Sequence, residues 1–232
     1  MREDLNPQPV RALAEVVSVA AVYILVSTTV AGAVDVSSLF PDHWSSMERA
    51  TGSGFLTGAV IQVALVLVAA YMLRLKDLRR AIAASLAAST RKAWTIAAIA
   101  TAIHIGTAML LFIPQPERVW ELSQLNLILS LVPAADGWSQ EVLFRGYVIF
   151  RLSRAAVPAS AQILLSGALF AAIHFGYAGD SAWEFFTPLV GTFMLGCFYA
   201  WAVRSGGGSL KPVIVCHVLI IAFTQPWLAL AL

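Results

Sequence analysis

Gln140-Glu141-Val142-Leu143-Phe144-Arg145-Gly146-Tyr147 lies inside an apolar run from Leu127 to Phe150. It places a carboxylate and a guanidinium four residues apart among residues apolar enough to span a bilayer. An ionisable side chain near the bilayer centre costs at least about 2.5–3.5 kcal/mol on insertion scales, so Glu141 and Arg145 read as a paired functional element. On an α-helix, positions i and i+4 share a face, and the two side chains can form a charge-assisted pair. Gln140 stands about 100° round such a helix from Glu141, near enough to bring an amide to the same place.

Outward from this run, the whole chain has the same character. With 59% hydrophobic and 12% charged residues and a mean hydropathy of +0.79, it has too few polar side chains to cover a soluble globule of 232 residues. An integral membrane protein follows. The formal charge of +2 is too small to argue for nucleic acid as a partner. Cys197 and Cys216 both fall in apolar stretches and read as packing residues rather than as a disulfide or metal pair.

Apolar runs near the roughly 20 residues a helix needs to cross a bilayer occur at Val16 to Val34, Phe55 to Leu73, Ala93 to Ile113, Leu127 to Phe150, Ala159 to Tyr177, Phe185 to Val203 and Pro212 to Leu230. The first is read as a retained helix rather than a cleaved signal, because it is long and no small-residue cleavage site clearly follows it. Pro133, Asp136, Gly137 and Gln140 interrupt the fourth, which is either one kinked helix or two pieces. Arg74, Lys76, Arg79, Arg80, Arg91 and Lys92 cluster in one short connection, which is therefore expected to be cytoplasmic. That assignment puts Arg2, Arg11, Arg151, Arg154, Arg204 and Lys211 inside, and the connections carrying Asp35, Asp42, Glu117, Glu121, Asp180 and Glu184 outside. The fold expected is an all-α integral membrane protein. It is a bundle of seven transmembrane helices, eight if the fourth divides, with a cytoplasmic N-terminus and residues 1–232 as a single transmembrane domain. Residues between Ala81 and Ser89 are expected to form a plain loop helix, and Ser205 to Ser209 a tight inter-helix turn.

The other polar residues within the membrane are His174, toward the outer end of the fifth helix, and His217, in the cytoplasmic half of the seventh. Counting ~1.5 Å per residue puts Glu141 roughly 15 Å deep, His174 roughly 21 Å and His217 roughly 10 Å. Helix tilts can bring the three to one depth. Each also has a plain structural reading: Glu141 with Arg145 as a structural ion pair, and His104, with no motif around it, as a packing residue hydrogen-bonded to a neighbouring helix. His43 lies in a loop. Cys216 beside His217 does not make a thiol nucleophile, because consecutive helix residues point about 100° apart.

From Asp136 to Ala222 the order Gln-Glu-x-x-x-Arg, Phe-x-x-x-His, a Gly-containing helix, a Gly-Gly-Gly-Ser-Leu turn and a helix with a central His resembles the CPBP family, the CAAX prenyl protease and bacteriocin-processing type of glutamic intramembrane endopeptidase. The first motif falls on Glu141 and Arg145, the second on Phe170 and His174, the third on His217, with a family-like core at about 124–230. The resemblance implies an intramembrane endopeptidase that needs no metal and no cofactor and cleaves a membrane-embedded or membrane-associated peptide or protein. In it a glutamate and His174 activate a water, His217 donates to the developing oxyanion and Arg145 holds Glu141 ionised. The compact loops suggest a prokaryotic plasma (inner) membrane.

Two positions depart from the family pattern. Gln140 stands where the family is thought to carry its catalytic base, and an amide cannot serve as a general base at neutral pH. Ile221 stands where the third motif usually has Asn, and it cannot donate to an oxyanion. Three accounts of Gln140 are open at this point. It is an engineered isosteric change, or the natural residue beside a Glu141 base with Gln140 contacting water or the scissile amide, or the mark of an inactive member acting as a membrane scaffold. Two further classes are weaker. A zinc site on His174, His217 and Glu141 lacks the His-Glu-x-x-His pattern, and a transporter lacks an inverted repeat.

Overall fold

The computed structural model of the chain describes residues 7–112, 124–132, 134–175 and 182–231. Pro133, Glu117, Glu121, Asp180 and Arg2 lie outside them. The described residues are helical, with no strand among them: α1 Pro7–Ala33, a 3₁₀ turn Ser37–Leu39, α2 Ser46–Tyr71, α3 Lys76–Ala84, α4 Arg91–Phe112, α5 Gln124–Leu131, α6 Ala134–Gln140, a π-helical segment Glu141–Tyr147, α7 Val148–Arg154, α8 Ala159–Ala172, α9 Ala182–Ser205 and α10 Lys211–Ala231. Among the described residues, each of the seven apolar runs falls mostly on helix. Three helices are long and apolar enough to cross a membrane among the described residues, at Gln8–Val30, Glu48–Tyr71 and Phe185–Ser205, with shorter apolar helices at Ala159–Ala172 and Lys211–Thr224. The three long helices and α4 carry exposed Val22, Leu25, Val60, Val68, Ile99, Ile103, Val190 and Met194. An apolar exterior of this extent suits lipid rather than water.

Local sequence sets the helix ends. Ser45 caps α2 reciprocally: its hydroxyl accepts from the Glu48 N–H at 3.2 Å while the Glu48 carboxylate accepts from the Ser45 N–H at 2.7 Å, a capping box. α9 stops at the triple glycine, where Gly207 has φ +72° and the Gly208 N–H reaches back to the Val203 carbonyl at 2.9 Å. That left-handed conformation favours glycine, and the bond satisfies a carbonyl the helix end would otherwise leave open.

The fourth apolar run departs from a plain α-helix in two ways. α5 ends at Leu131 and α6 starts at Ala134, so the run is broken near its middle. The rod that follows changes hydrogen-bond register at the motif itself: Glu141–Tyr147 is π-helical, and the Val148 N–H donates to the Leu143 carbonyl five residues back. π-turns inside helices occur frequently at functional sites. Every residue from Ser139 to Phe150 is buried, because α1, α3, α8, α9 and α10 pack around this rod. α8 and α9 cross closely enough that a Cβ on Gly196 would lie 2.8 Å from the Gly167 Cα.

The basic connection is more ordered than a loop helix along the surface. In α3, Asp77, Leu78 and Ala81 are buried, Asp77 pairs with Arg154 at 3.0 Å, and the Ala84 carbonyl accepts from the Leu210 N–H at 3.0 Å. Glu15 on α1 accepts from Arg151 Nε at 3.0 Å, from its NH2 nitrogen at 2.9 Å, and from the Tyr147 hydroxyl at 3.2 Å. These pairs tie α1 and α3 to the central rod.

Candidate active site

The rod delivers Glu141 and Arg145 to the protein interior, and both are fully buried. Arg145 Nε lies 3.3 Å from Glu141 Oε2. The guanidinium stacks 3.7 Å from the Phe170 ring centroid and 5.6 Å from that of Tyr199. None of its nitrogens has a hydrogen-bond partner among the described residues. The carboxylate and two aromatic faces therefore carry a cation that would otherwise be prohibitive to bury.

The other carboxylate oxygen, Glu141 Oε1, lies 2.7 Å from Nδ1 of His217 on α10, which is only 4% exposed. Seventy-six residues separate the two in sequence, and the close packing of α6 on α10 brings them together. A Cβ on Gly137 would sit 3.6 Å from the His217 Cγ and 3.0 Å from Cδ1 of Ile221. An alanine at 137 would require the Ile221 side chain to give by a few tenths of an ångström and would meet the His217 ring at ordinary contact distance. Ile221 is thus a packing residue beneath the site.

His174 follows the last residue of α8 by two positions, and its Nδ1 meets the Phe170 carbonyl at 2.8 Å. Phe170 joins the pieces: its ring centroid is 4.6 Å from that of His174, 5.5 Å from that of His217 and 6.0 Å from that of Phe144. Tyr199 lies 6.4 Å from His217 by ring centroids and bonds Thr101 on α4 at 2.6 Å. His104, read from sequence as a packing residue, is half-buried and lies within electrostatic reach of His217. No group of three or more His, Cys, Asp or Glu among the described residues is arranged to hold a metal ion.

Gln140 also reaches two helices that carry no motif. Its Nε2 donates to Gln62 Oε1 on α2 at 3.2 Å. The same oxygen accepts from the Tyr23 hydroxyl of α1 at 2.5 Å, and that hydroxyl meets Ser139 Oγ at 3.0 Å. The motif reading passes over Tyr23 and Gln62, because α1 and α2 carry no recognisable pattern. The available signal was physical: a glutamine in an apolar helix needs a partner inside the protein.

Residues 122–223 match the family model described as type II CAAX prenyl endopeptidase Rce1-like. Over these residues the chain is similar to the CAAX protease family. No curated protein and no solved structure matches the chain. The family is one of proteases, and its matched stretch spans all five residues of the candidate site, Gln140, Glu141, Arg145, His174 and His217. Tyr23 and Gln62 of this CAAX protease-like chain lie outside that stretch, in the N-terminal helices.

Proposed function

We propose that the chain is an intramembrane endopeptidase in which the Glu141–His217 pair, assisted by His174, activates a water against a peptide bond of a membrane-embedded or membrane-associated substrate. The observation that carries this reading is the 2.7 Å contact between Glu141 Oε1 and His217 Nδ1 in a fully buried setting.

Charge bookkeeping assigns the protons. Arg145 is cationic and Glu141 anionic, so the buried group is neutral when His217 is neutral; a further proton at rest would leave an uncompensated buried charge. A neutral His217 that donates Nδ1–H to Glu141 carries its lone pair on Nε2, where it serves as general base. Water oxygen attacks the carbonyl carbon as its proton passes to Nε2. Glu141 stabilises the imidazolium that forms, and the oxyanion restores charge balance. Collapse of the tetrahedral intermediate breaks the C–N bond, and the leaving amine takes the proton from Nε2. His174, whose Nδ1–H is given to the Phe170 carbonyl, assists from beside Phe170 as the resemblance implies. This arrangement makes His217 the base rather than the oxyanion donor the family resemblance implied, and it needs no carboxylate at position 140.

The apolar exterior and the basic cluster at one end support a bundle of seven spans, its fourth in two pieces, with the N-terminus in the cytoplasm of a prokaryotic cell. The test is cleavage in proteoliposomes of a farnesylated peptide ending in Cys-aliphatic-aliphatic-X and of a leader peptide, by the unaltered chain and by Glu141→Gln, His174→Ala and His217→Ala. Cleavage by the unaltered chain that His217→Ala lowers by about 10²-fold or more supports the reading, on the scale of general-base catalysis. Equal cleavage by all four chains overturns it.

A further inference from the structure

We propose that Gln140 is a substrate-binding residue whose side-chain Oε1 receives a backbone N–H of the peptide next to the scissile bond, and that Tyr23 and Gln62 are the positioning residues that hold it; this rests on the protease reading above. The first two helices then belong to the active centre, although no motif marks them.

The hydrogen bonds orient the amide. As placed, the Tyr23 hydroxyl donates to Gln62 Oε1, and Gln62 presents oxygen at that point. Gln140 must therefore present nitrogen to the same oxygen, which it does at 3.2 Å. The opposite pole, Gln140 Oε1, is buried and has no partner among the described residues. The side chain is only 8% exposed, so the acceptor has little access to bulk water, and an unmatched buried acceptor is unfavourable. A substrate backbone entering a membrane cavity has the complementary problem, since its N–H groups leave water and need acceptors. One pairing solves both.

The location suits this role. Gln140 is the last residue of α6 and directly precedes Glu141, and α6 packs on His217 through Gly137. A carboxylate at 140 would set an acceptor against Gln62 Oε1, an arrangement the Tyr23 bond opposes. In the present orientation of Gln62 an amide donates to its Oε1 and a carboxylate cannot.

The experiment measures KM and kcat of the full chain in proteoliposomes with a fluorogenic farnesylated peptide ending in Cys-aliphatic-aliphatic-X. Analogues carry an N-methyl group on one peptide nitrogen at a time. With the unaltered chain, one N-methyl position is expected to raise KM about ten-fold, the scale of one hydrogen bond to a buried neutral group. Gln140→Leu should raise KM for the parent peptide by a similar factor, with kcat little changed, and should no longer distinguish that analogue from the parent. Gln62→Leu and Tyr23→Phe should reproduce part of the effect. Gln62→Glu should restore most of what Gln62→Leu loses, since a carboxylate accepts both bonds, and this contrast holds even if Gln62→Leu folds poorly. Discrimination by Gln140→Leu equal to that of the unaltered chain overturns the inference while leaving the protease reading intact, as does a Gln62→Glu no better than Gln62→Leu. Failure of the unaltered chain to cut either this peptide or the leader peptide removes the protease reading and this inference with it.

Discussion

Replacing Arg145 by Met tests whether the buried ion pair is a coupled unit. Both side chains are fully buried and their charged atoms stand 3.3 Å apart. At an effective dielectric constant near 20 that separation corresponds to roughly 5 kcal/mol of attraction, and stacking on Phe170 at 3.7 Å adds about 2 kcal/mol in a desolvated setting. Against this stands the cost of burying the guanidinium, with three nitrogens lacking hydrogen-bond partners. The net expectation for Arg145→Met is a loss of about 3–5 kcal/mol, because Glu141 is left as a buried charge with only His217 beside it. Glu141→Gln should cost a comparable amount by stranding Arg145, while its amide oxygen still accepts from His217 Nδ1. The double variant removes both charges, so its loss should fall well below the sum of the single losses, by a coupling of about 1–3 kcal/mol. Unfolding by SDS titration in mixed micelles, followed by tryptophan fluorescence, gives the three free energies. Additive losses, or a single variant within about 1 kcal/mol of the parent protein, would refute the claim that the pair holds the rod together electrostatically.

Two further outcomes are expected. Gly196→Ala should loosen the α8–α9 crossing, since its Cβ would meet the Gly167 Cα at 2.8 Å; the same titration should show a loss of about 1–3 kcal/mol, whereas Gly54→Ala, with open space around its Cβ, should not. The Asp35 carboxylate is held below its ordinary range by the Ser37 N–H first and then by the Ser37 and Ser53 hydroxyls, so its tie between the end of α1 and α2 is complete at neutral pH. That contribution is lost as the pH falls through the depressed folded value. Hydrogen exchange at Val36 and Ser37 should accelerate on acidification in the parent protein and be pH-insensitive, beyond the intrinsic rate, in Asp35→Asn.

How much of this architecture was legible depended on whether the determining interaction was local. Helix positions were legible because apolar runs of bilayer length leave little alternative, and among the described residues the seven runs fall mostly on helix. The break near Pro133 was legible as an interruption. The π-register from Glu141 to Tyr147 was not, because it comes from packing on all sides: a fully buried rod with Gly146 against Ala81 of α3, where a Cβ would come within 2.4 Å. The Glu141–Arg145 pair was legible from its four-residue spacing. Which histidine meets the carboxylate was not, since the choice between His174 and His217 depends on how α10 approaches α6, and Gly137 permits that approach.

Position 140 shows the same limit from the other side. Read along the chain, Gln140 is an amide where the family usually carries its base, open between an engineered change, a natural contact to water or the scissile amide, and an inactive site. In three dimensions it is one member of a Ser139–Tyr23–Gln62–Gln140 hydrogen-bonded set contributed by three separate helices, and the set is complementary to an amide. A remnant of a lost active site has no physical reason to acquire such partners, because a glutamine and a tyrosine in apolar helices are unfavourable unless each satisfies the other. The buried Glu141–His217 contact already provides a carboxylate and an imidazole, so water activation does not require a second acid beside them. Proton transfer and amide recognition can therefore reside on adjacent residues of one rod, with Glu141 turned toward α10 and Gln140 toward α1 and α2. Gln140→Glu should on this account weaken the chain's peptidase activity rather than raise it, and a gain in activity from that single change would return the base to position 140.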